Sequence, residues 1–204
     1  MEFFNLFAPF YDGFMRLIGN KKNIQFMVEK IRTKLPGRSD LSSPHLILDV
    51  GGGTGTLAAK LQSEKHQVFV LDRSEKMLSK AKGKGIPGEN LVQSDVRSIP
   101  FNDEIFDLVT CLDALHHFPE SEKGLKEMAR VLKPGGIILI FDFDPEKKTT
   151  KVLKNIERCL GEPTEFYTPE GLRDLLWSFG IEGEIKPQNA WQFLYEGQKK
   201  KRRI

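Results

Sequence analysis

Five short apolar runs constrain the fold most: LILDV at 46–50, VFVLD at 68–72, LVQSD at 91–95, FDLVTCLD at 106–113 and GIILIFD at 136–142. Each closes on or beside an aspartate. Runs rich in Val, Ile, Leu and Phe throughout, with no polar alternation, suit strands covered on both faces. Between them lie the helical patterns TGTLAAKLQSE, RSEKMLSKAKG and EKGLKEMARVLKPGG, the last closed by Pro134 and two glycines, while after Asp95 a helical pattern is weak or absent. Strands alternating with helices make parallel βαβ units, so the chain is predicted to be α/β, a doubly wound, mostly parallel sheet. Ligands of such sheets bind beyond the carboxyl ends of the strands, so the terminal aspartates line one rim.

After Asp142 the rhythm changes. A polar segment leads to TPEGLRDLLWSFG, where Thr168 as cap, Pro169 in the first turn and Gly180 beyond the last mark a helix. IEGEIKPQNA and WQFLYEGQ then read as two strands, giving a seven-stranded sheet with a C-terminal antiparallel hairpin; Pro187 assigns the first of the two to an edge. The expected organisation is a single domain over 1–204, with an N-terminal cap segment at 1–30 and a lid insertion at 143–167. In the insertion Lys147, Lys151, Lys154 and Arg158 recur at helical spacing, with Val152, Ile156 and Cys159 or Leu160 on another side. This reads as a lid helix with its cations outward; an anionic substrate or a membrane surface is the alternative partner for those cations.

The stretch ILDVGGGTGTLAAKL, from 47 to 61, carries the most chemistry. A dinucleotide fingerprint needs G-x-G-x-x-G, whereas Gly51, Gly53 and Gly55 make G-x-G-x-G and Thr56 stands at the third fingerprint position. Asp49 is a second discriminator. Its carboxylate would repel a pyrophosphate and attract the ammonium and sulfonium of S-adenosylmethionine. Asp72 ends the second strand, where a carboxylate can accept from both ribose hydroxyls, and Asp95 ends the third, where it could accept from an adenine amino group flanked by Val96 and Met77. A ligand-free strand-to-helix turn, and capping or turn roles for the acids, are the plain alternatives.

Cys111 and Cys159 lie in apolar-rich segments without CxxC or CxxH spacing, which argues for reduced thiols and against a metal site. No stretch approaches the roughly 20 apolar residues of a membrane span. The N-terminus has Glu2 ahead of any cation, and Asn5, Pro9 and Asp12 break its apolar run, unlike a signal peptide. A cytoplasmic protein is expected. The net charge of +3 is small, and the KKKRR at 199–203 reads as a solvated tail, not a nucleic-acid arm.

In this order, LDVGGGTGTLA, VLDRSEKMLSKAK, VQSDVRSIPFNDEIFDLVTCLDALHHF and RVLKPGGIILIFD resemble the class I S-adenosylmethionine-dependent methyltransferases, in particular the small branch related to the ubiquinone and menaquinone biosynthesis methyltransferases. The resemblance is strong over 46–142. It extends to FAPFYDGF near the N-terminus, where Tyr11 would belong to a helix covering the cofactor. The middle of the glycine loop is often Cys or Ala in the family and is Gly52 here, a small-for-small change. The resemblance implies a Rossmann-like methyltransferase fold that uses S-adenosylmethionine and releases S-adenosylhomocysteine. Asp49, Gly51, Gly53, Thr54 and Gly55 would hold its methionine end, Asp72 and Arg73 the ribose, and Met77, Asp95 and Val96 the adenine. Cys111 and Leu112 would pass beside the sulfonium.

Methyl transfer from a sulfonium is an in-line displacement, so holding both partners in line can supply much of the rate and no acid or base is obligatory. For a phenol or carbon acid, LDALHHF offers Asp113, His116 and His117 as candidate proton acceptors. No Asn-Pro-Pro-Tyr or Asp-Pro-Pro-Tyr run follows the fourth strand, which argues against a flipped nucleic-acid base as acceptor. The expected acceptor is a small, partly apolar molecule. A cofactor-binding regulator without turnover, and a methyltransferase of RNA or protein, are the alternatives; the loop spacing and Asp49 disfavour a dehydrogenase.

Overall fold

The computed structural model describes residues 20–35, 44–62, 66–159 and 164–201. Tyr11 and the rest of the expected cap up to residue 19 lie outside the described residues, as do 160–163 of the expected lid. Seven strands run in chain order: β1 Leu46–Val50, β2 Gln67–Asp72, β3 Leu91–Gln93, β4 Phe106–Leu112, β5 Leu132–Phe143, β6 Ile181–Pro187 and β7 Gln192–Lys199. The described helices are α1 Asn20–Lys34, α2 Thr56–Gln62, α3 Glu75–Gly83, α4 Ser121–Val131, α5 Lys148–Cys159 and α6 Pro169–Ser178.

The strands form one sheet in the order β3-β2-β1-β4-β5-β7-β6. The first five are parallel, and β7 pairs antiparallel with both β5 and β6. The predicted C-terminal hairpin is therefore present, with the Pro187 strand at the edge. Strand order reverses between β1 and β4, so their carboxyl ends open the crevice where doubly wound sheets bind ligands.

Successive side chains of a strand point to opposite faces, and here both faces are covered. Ile47, Val70, Leu108 and Leu139 pack with Met27 and Ile31 of α1, Leu61 of α2 and Leu78 of α3. Their neighbours Leu48, Leu71, Val109 and Ile140 face Leu125 and Met128 of α4 and Leu172 of α6. Helix α6 begins as its sequence foretells: the Thr168 hydroxyl accepts the Gly171 N–H at 3.1 Å, with Pro169 in the first turn.

Three expectations are corrected. KPGG does not close a helix: α4 stops at Val131 and β5 begins at Leu132, with a register shift opposite Phe106–Leu108 that absorbs the extra residues. The end of α4 is instead capped by Lys199, whose Nζ donates to the carbonyls of Ala129 and Leu132 at 2.8 and 2.9 Å. Lys199 thus belongs to β7 and its cation is engaged, so the solvated tail does not begin there. In α5 Lys151 and Arg158 face out as expected and Lys154 does not, while apolar Val152 and Ile156 are also exposed, at 59% and 53%, because Thr150, Leu153, Lys154 and Glu157 turn toward the protein.

The absence of a helix after Asp95 is as expected. Arg130 of α4 ties this crossing down, donating to the carbonyls of Ile99 and Phe101 at 2.9 and 2.8 Å and to Glu127 and Asp103.

Candidate active site

The spacing of the glycines follows from the turn they make. Gly51, Gly53 and Gly55 have φ of 69°, 54° and 67°, the left-handed region that side chains disfavour, while Gly52 between them does not. At Gly55 space is decisive too: a Cβ would strike the Ile86 side chain and lie 2.8 Å from the Ala81 Cβ, so the turn enters α2 against the packed α3. Gly53 differs, since among the described residues a Cβ there would find no neighbour nearer than 4.0 Å. None of those residues covers its face of the loop.

Two acids set the electrostatics below the loop. The Asp72 carboxylate accepts the Gly53 N–H at 2.9 Å through Oδ2 and the Ser74 N–H at 2.8 Å through Oδ1. Burial holds this carboxyl above its ordinary value, against the opposing pull of those N–H groups and Arg73. Asp49 is 2% exposed, and burial followed by the Asp72 charge pushes its carboxyl up to about 7. Its Oδ2 would lie 2.7 Å from a Cβ on residue 52. Gly52 is therefore more than a small-for-small change here, because even alanine would have to displace the buried acid. The Thr54 hydroxyl accepts from Lys84 Nζ at 2.8 Å, which ties the loop to the end of α3.

At the third strand the expected adenine contacts are only partly free. Asp95 reaches the rim, but both its oxygens accept from the Arg97 guanidinium at 2.9 Å and its Oδ1 also accepts the Arg97 N–H. Arg73 approaches to 4.0 Å from the same carboxylate. Met77 and Val96 are each 2% exposed. Val96 is pressed against α4, where a Cβ on Gly124 would meet its methyls at 3.0 Å.

Beyond β4 the chain folds back over the rim. Cys111 is fully buried and burial raises its thiol pKa, so it stays protonated packing beside half-buried Leu112. Asp113 takes a left-handed φ of 52°, and burial with the Asp142 charge pushes its carboxyl up to about 7 while Asn23 of α1 donates to it. The next turn, Leu115–His117, brings in the histidine pair. His116 is 2% exposed, and its Nδ1 lies 2.6 Å from Asp142 Oδ1. Asp142 also accepts the backbone N–H groups of His116 and Phe143. Burial alone would lower the His116 pKa, but Asp142 and Glu157 hold it above the ordinary value; burial and the neighbouring His116 push His117 well below it.

Sequence reasoning named the histidines but missed their partners. The sequence marks Asp142 only as a strand end and does not mark Glu157, which sits 3.7 Å from His116 Nε2 and 4.0 Å from His117 Nε2. Phe166 stacks on the His116 ring at 4.6 Å and 9°, and Phe143 meets that ring edge-on. The Glu165 N–H donates to the His116 carbonyl at 2.9 Å. Residues of the 143–167 segment therefore cover the histidine turn. Helical spacing sets Lys154 and Glu157 on one stripe of that segment, but it does not say which stripe docks.

The rim lies within a segment that is similar to known proteins. The family described as "Methyltransferase domain" matches residues 48–140, from the middle of β1 through most of β5. The match takes in a little under half of the chain and includes the glycine loop, Asp49, Asp72 and Asp95. A curated relative, the ubiquinone/menaquinone biosynthesis C-methyltransferase of Yersinia pestis, is 42% identical over 105 residues, 48% of this chain and 42% of the relative. The chain thus matches less than half the length of that relative. Among solved structures, the chain complexed with the Trm112 methyltransferase activator of Haloferax volcanii has a TM-score of 0.75 at 19% identity, covering 97% of each chain. Magnesium protoporphyrin IX methyltransferase from Synechocystis, solved with S-adenosylhomocysteine bound, has a TM-score of 0.69 at 20% identity over 89% of this chain and 84% of its own. At these identities the structures speak for the fold, which is the Rossmann-like methyltransferase fold expected from the sequence.

Proposed function

We propose that this chain is an S-adenosylmethionine-dependent methyltransferase acting on a small, partly apolar acceptor. The observation that carries the reading is the loop above Asp49 and Asp72. Gly53 presents a backbone face that no described residue covers, one acid lies against the neighbouring Gly52, and a second acid, already oriented by two N–H groups, stands at its side. That donor and acceptor set fits a ligand with a cationic methionine end and a ribose diol better than one with a pyrophosphate. The Asp72 carboxylate, held by the Gly53 and Ser74 N–H groups, is the acceptor assigned to the ribose hydroxyls.

When bound, S-adenosylmethionine supplies the activated methyl group and its leaving sulfide. The chain's part is to hold the acceptor in line, and positioning of this kind corresponds to effective molarities of roughly 10⁵–10⁸ M. The aromatic surroundings of the histidine turn, Phe143, Phe166 and Trp191, favour an apolar or aromatic acceptor. We assign acceptor recognition to the 143–167 segment together with the 1–30 cap, with Tyr11 of that cap assigned to covering the cofactor, within one domain. For a hydroxyl acceptor, the Asp113, His116 and His117 group is the one able to take up charge or a proton.

Calorimetry with S-adenosylmethionine, S-adenosylhomocysteine and NAD tests the cofactor. S-adenosylhomocysteine release across phenols, quinols, amines, lipids and RNA tests the acceptor. Binding of NAD alone overturns the reading, turnover on RNA alone overturns the acceptor class, and tight cofactor binding without turnover on any panel points to a regulator.

A further inference from the structure

Two histidines and a carboxylate from separate elements converge over the rim. His116 and His117 come from the turn after β4, and Glu157 comes from α5 forty residues later. Taking one ligand atom from each, all lie within 4.8 Å of one another, and His116 Nε2 and His117 Nε2 stand 3.7 and 4.0 Å from Glu157 Oε1. In tetrahedral zinc the ligand–metal distances of about 2.0–2.2 Å put neighbouring ligand atoms about 3.3–3.5 Å apart. The two histidine–Glu157 separations need to close by a few tenths of an ångström and the widest pair, within 4.8 Å, by up to about 1.5 Å, a shift within the reach of side-chain torsions.

The surroundings are those of a metal site rather than of a surface cluster. All three side chains are buried or nearly so, at 2, 19 and 14% exposure. His116 Nδ1 is engaged by Asp142, which is itself fixed by two backbone N–H groups, so the imidazole is oriented with Nε2 toward the other two ligands. A carboxylate on the far nitrogen is the recurrent outer partner of metal-bound histidine, fixing its tautomer and raising its basicity. Phe166 stacked on one face of the ring and Phe143 at its edge exclude water from that side.

The geometry points to a binding site for one divalent transition-metal ion, Zn²⁺ by ligand set, held by His116, His117 and Glu157. The site was invisible in the sequence because its carboxylate arrives from a different element and no cysteine takes part. Two histidines and a glutamate leave one tetrahedral position for water or for an acceptor oxygen, the arrangement of a reactive site rather than of a closed structural one. Its use in acidifying a hydroxyl acceptor rests on the proposed methyl transfer; the site itself does not. The competing arrangement is a metal-free ion network, with a protonated His116 between Asp142 and Glu157.

The test is Zn²⁺ content of the full chain by elemental analysis, after loading with Zn²⁺ and dialysis into metal-free buffer, together with thermal melts with and without Zn²⁺. The parent is expected to keep one Zn²⁺ per chain and to melt at a higher temperature with it. His117→Ala and Glu157→Ala are expected to lose both effects, and Asp142→Asn to bind about 10- to 100-fold more weakly, as for an outer-shell partner. Glu157 lies on the mostly exposed α5, so its removal leaves the fold intact even where a change at His116 would not. No stoichiometric uptake by the parent overturns the proposal and favours the ion network. Uptake unchanged in Glu157→Ala, or lost instead on His45→Ala at the separate His45–His66 pair, overturns it equally. Neither readout depends on S-adenosylmethionine, so failure here and failure of the methyl-transfer reading are separable.

Discussion

The Gly53 N–H donates to Asp72 Oδ2 at 2.9 Å, joining the open face of the β1 loop to the end of β2. The same carboxylate accepts from Ser74, which caps α3, so one side chain organises the loop, the strand end and the next helix together. Asp72→Ala is therefore expected to do two things. Loss of the charge-assisted acceptor, worth about 1.5–3 kcal/mol for even one such hydrogen bond, weakens S-adenosylmethionine by at least roughly 10- to 150-fold in calorimetry. Loss of the acceptor for two backbone N–H groups lowers the melting temperature without ligand. A folded variant with unchanged affinity would remove Asp72 from the cofactor site.

Asp49 makes a pH prediction. An unfolded aspartate titrates near 3.9, whereas burial and the Asp72 charge push this one up to about 7 in the fold. Between those values the folded protein holds a proton that the unfolded chain has released, so Asp49's contribution is fully present below about pH 4 and is lost as pH rises through about 7. Asp49→Asn should flatten this part of the stability profile and leave the variant more stable than the parent at pH 8. A cationic sulfonium ligand reverses the sign by favouring the ionised acid. Parent affinity for S-adenosylmethionine should rise through pH 7, and that of Asp49→Asn should not.

Much of this rim is legible in the sequence, because strand-terminal acids and left-handed glycines are local signals. The alternation of apolar runs with helices, and Pro187 at an edge, likewise report local geometry that tertiary packing left in force. What escapes is cooperation between distant elements. Asp95 reads as a free acceptor until Arg97 folds onto it, Gly52 reads as interchangeable until the Asp49 carboxylate is found beneath it, and Lys199 reads as tail until it caps α4. The outward apolar side of α5 belongs with these, since amphipathic spacing identifies two sides but not which one docks. The turn HHF is visible; Asp142, Glu157 and Phe166 around it are not.

Arg130 offers a test of how the helix-free crossing after β3 is held. Its guanidinium joins Glu127 and Asp103 to the carbonyls of Ile99 and Phe101, with the side chain 29% exposed. Solvent screening discounts the ion pairs, so the carbonyl hydrogen bonds dominate, and Arg130→Ala should cost about 1–3 kcal/mol in denaturant unfolding. Arg130→Lys reaches fewer of these acceptors and should recover only part of the loss. A loss below about 0.5 kcal/mol for the alanine variant, the scale of an ordinary surface change, would show that the crossing stands without Arg130.

Gly55 separates the demands of the fold from those of the ligand. Its φ of 67° costs an L-residue about 1–2 kcal/mol. A methyl here would also strike Ile86 and approach Ala81 to 2.8 Å, and overpacking of this kind costs about 1–3 kcal/mol. Gly55→Ala is accordingly expected to lose about 2–5 kcal/mol of stability, read as a lower denaturant midpoint with an unchanged slope. Gly53→Ala has the contrasting profile. It has a comparable φ of 54°, but among the described residues only open space surrounds the new methyl, so about 1–2 kcal/mol of strain is its expected cost to the fold. The open face is the one assigned to the cofactor, so Gly53→Ala should forfeit more S-adenosylmethionine affinity than its modest instability explains. Ranking the variants by stability and by affinity should therefore give opposite orders, provided each is compared at a temperature where both remain folded. Equal affinity loss in the two would mean that the loop acts through its conformation alone, and that the open face of Gly53 is not where the ligand lies.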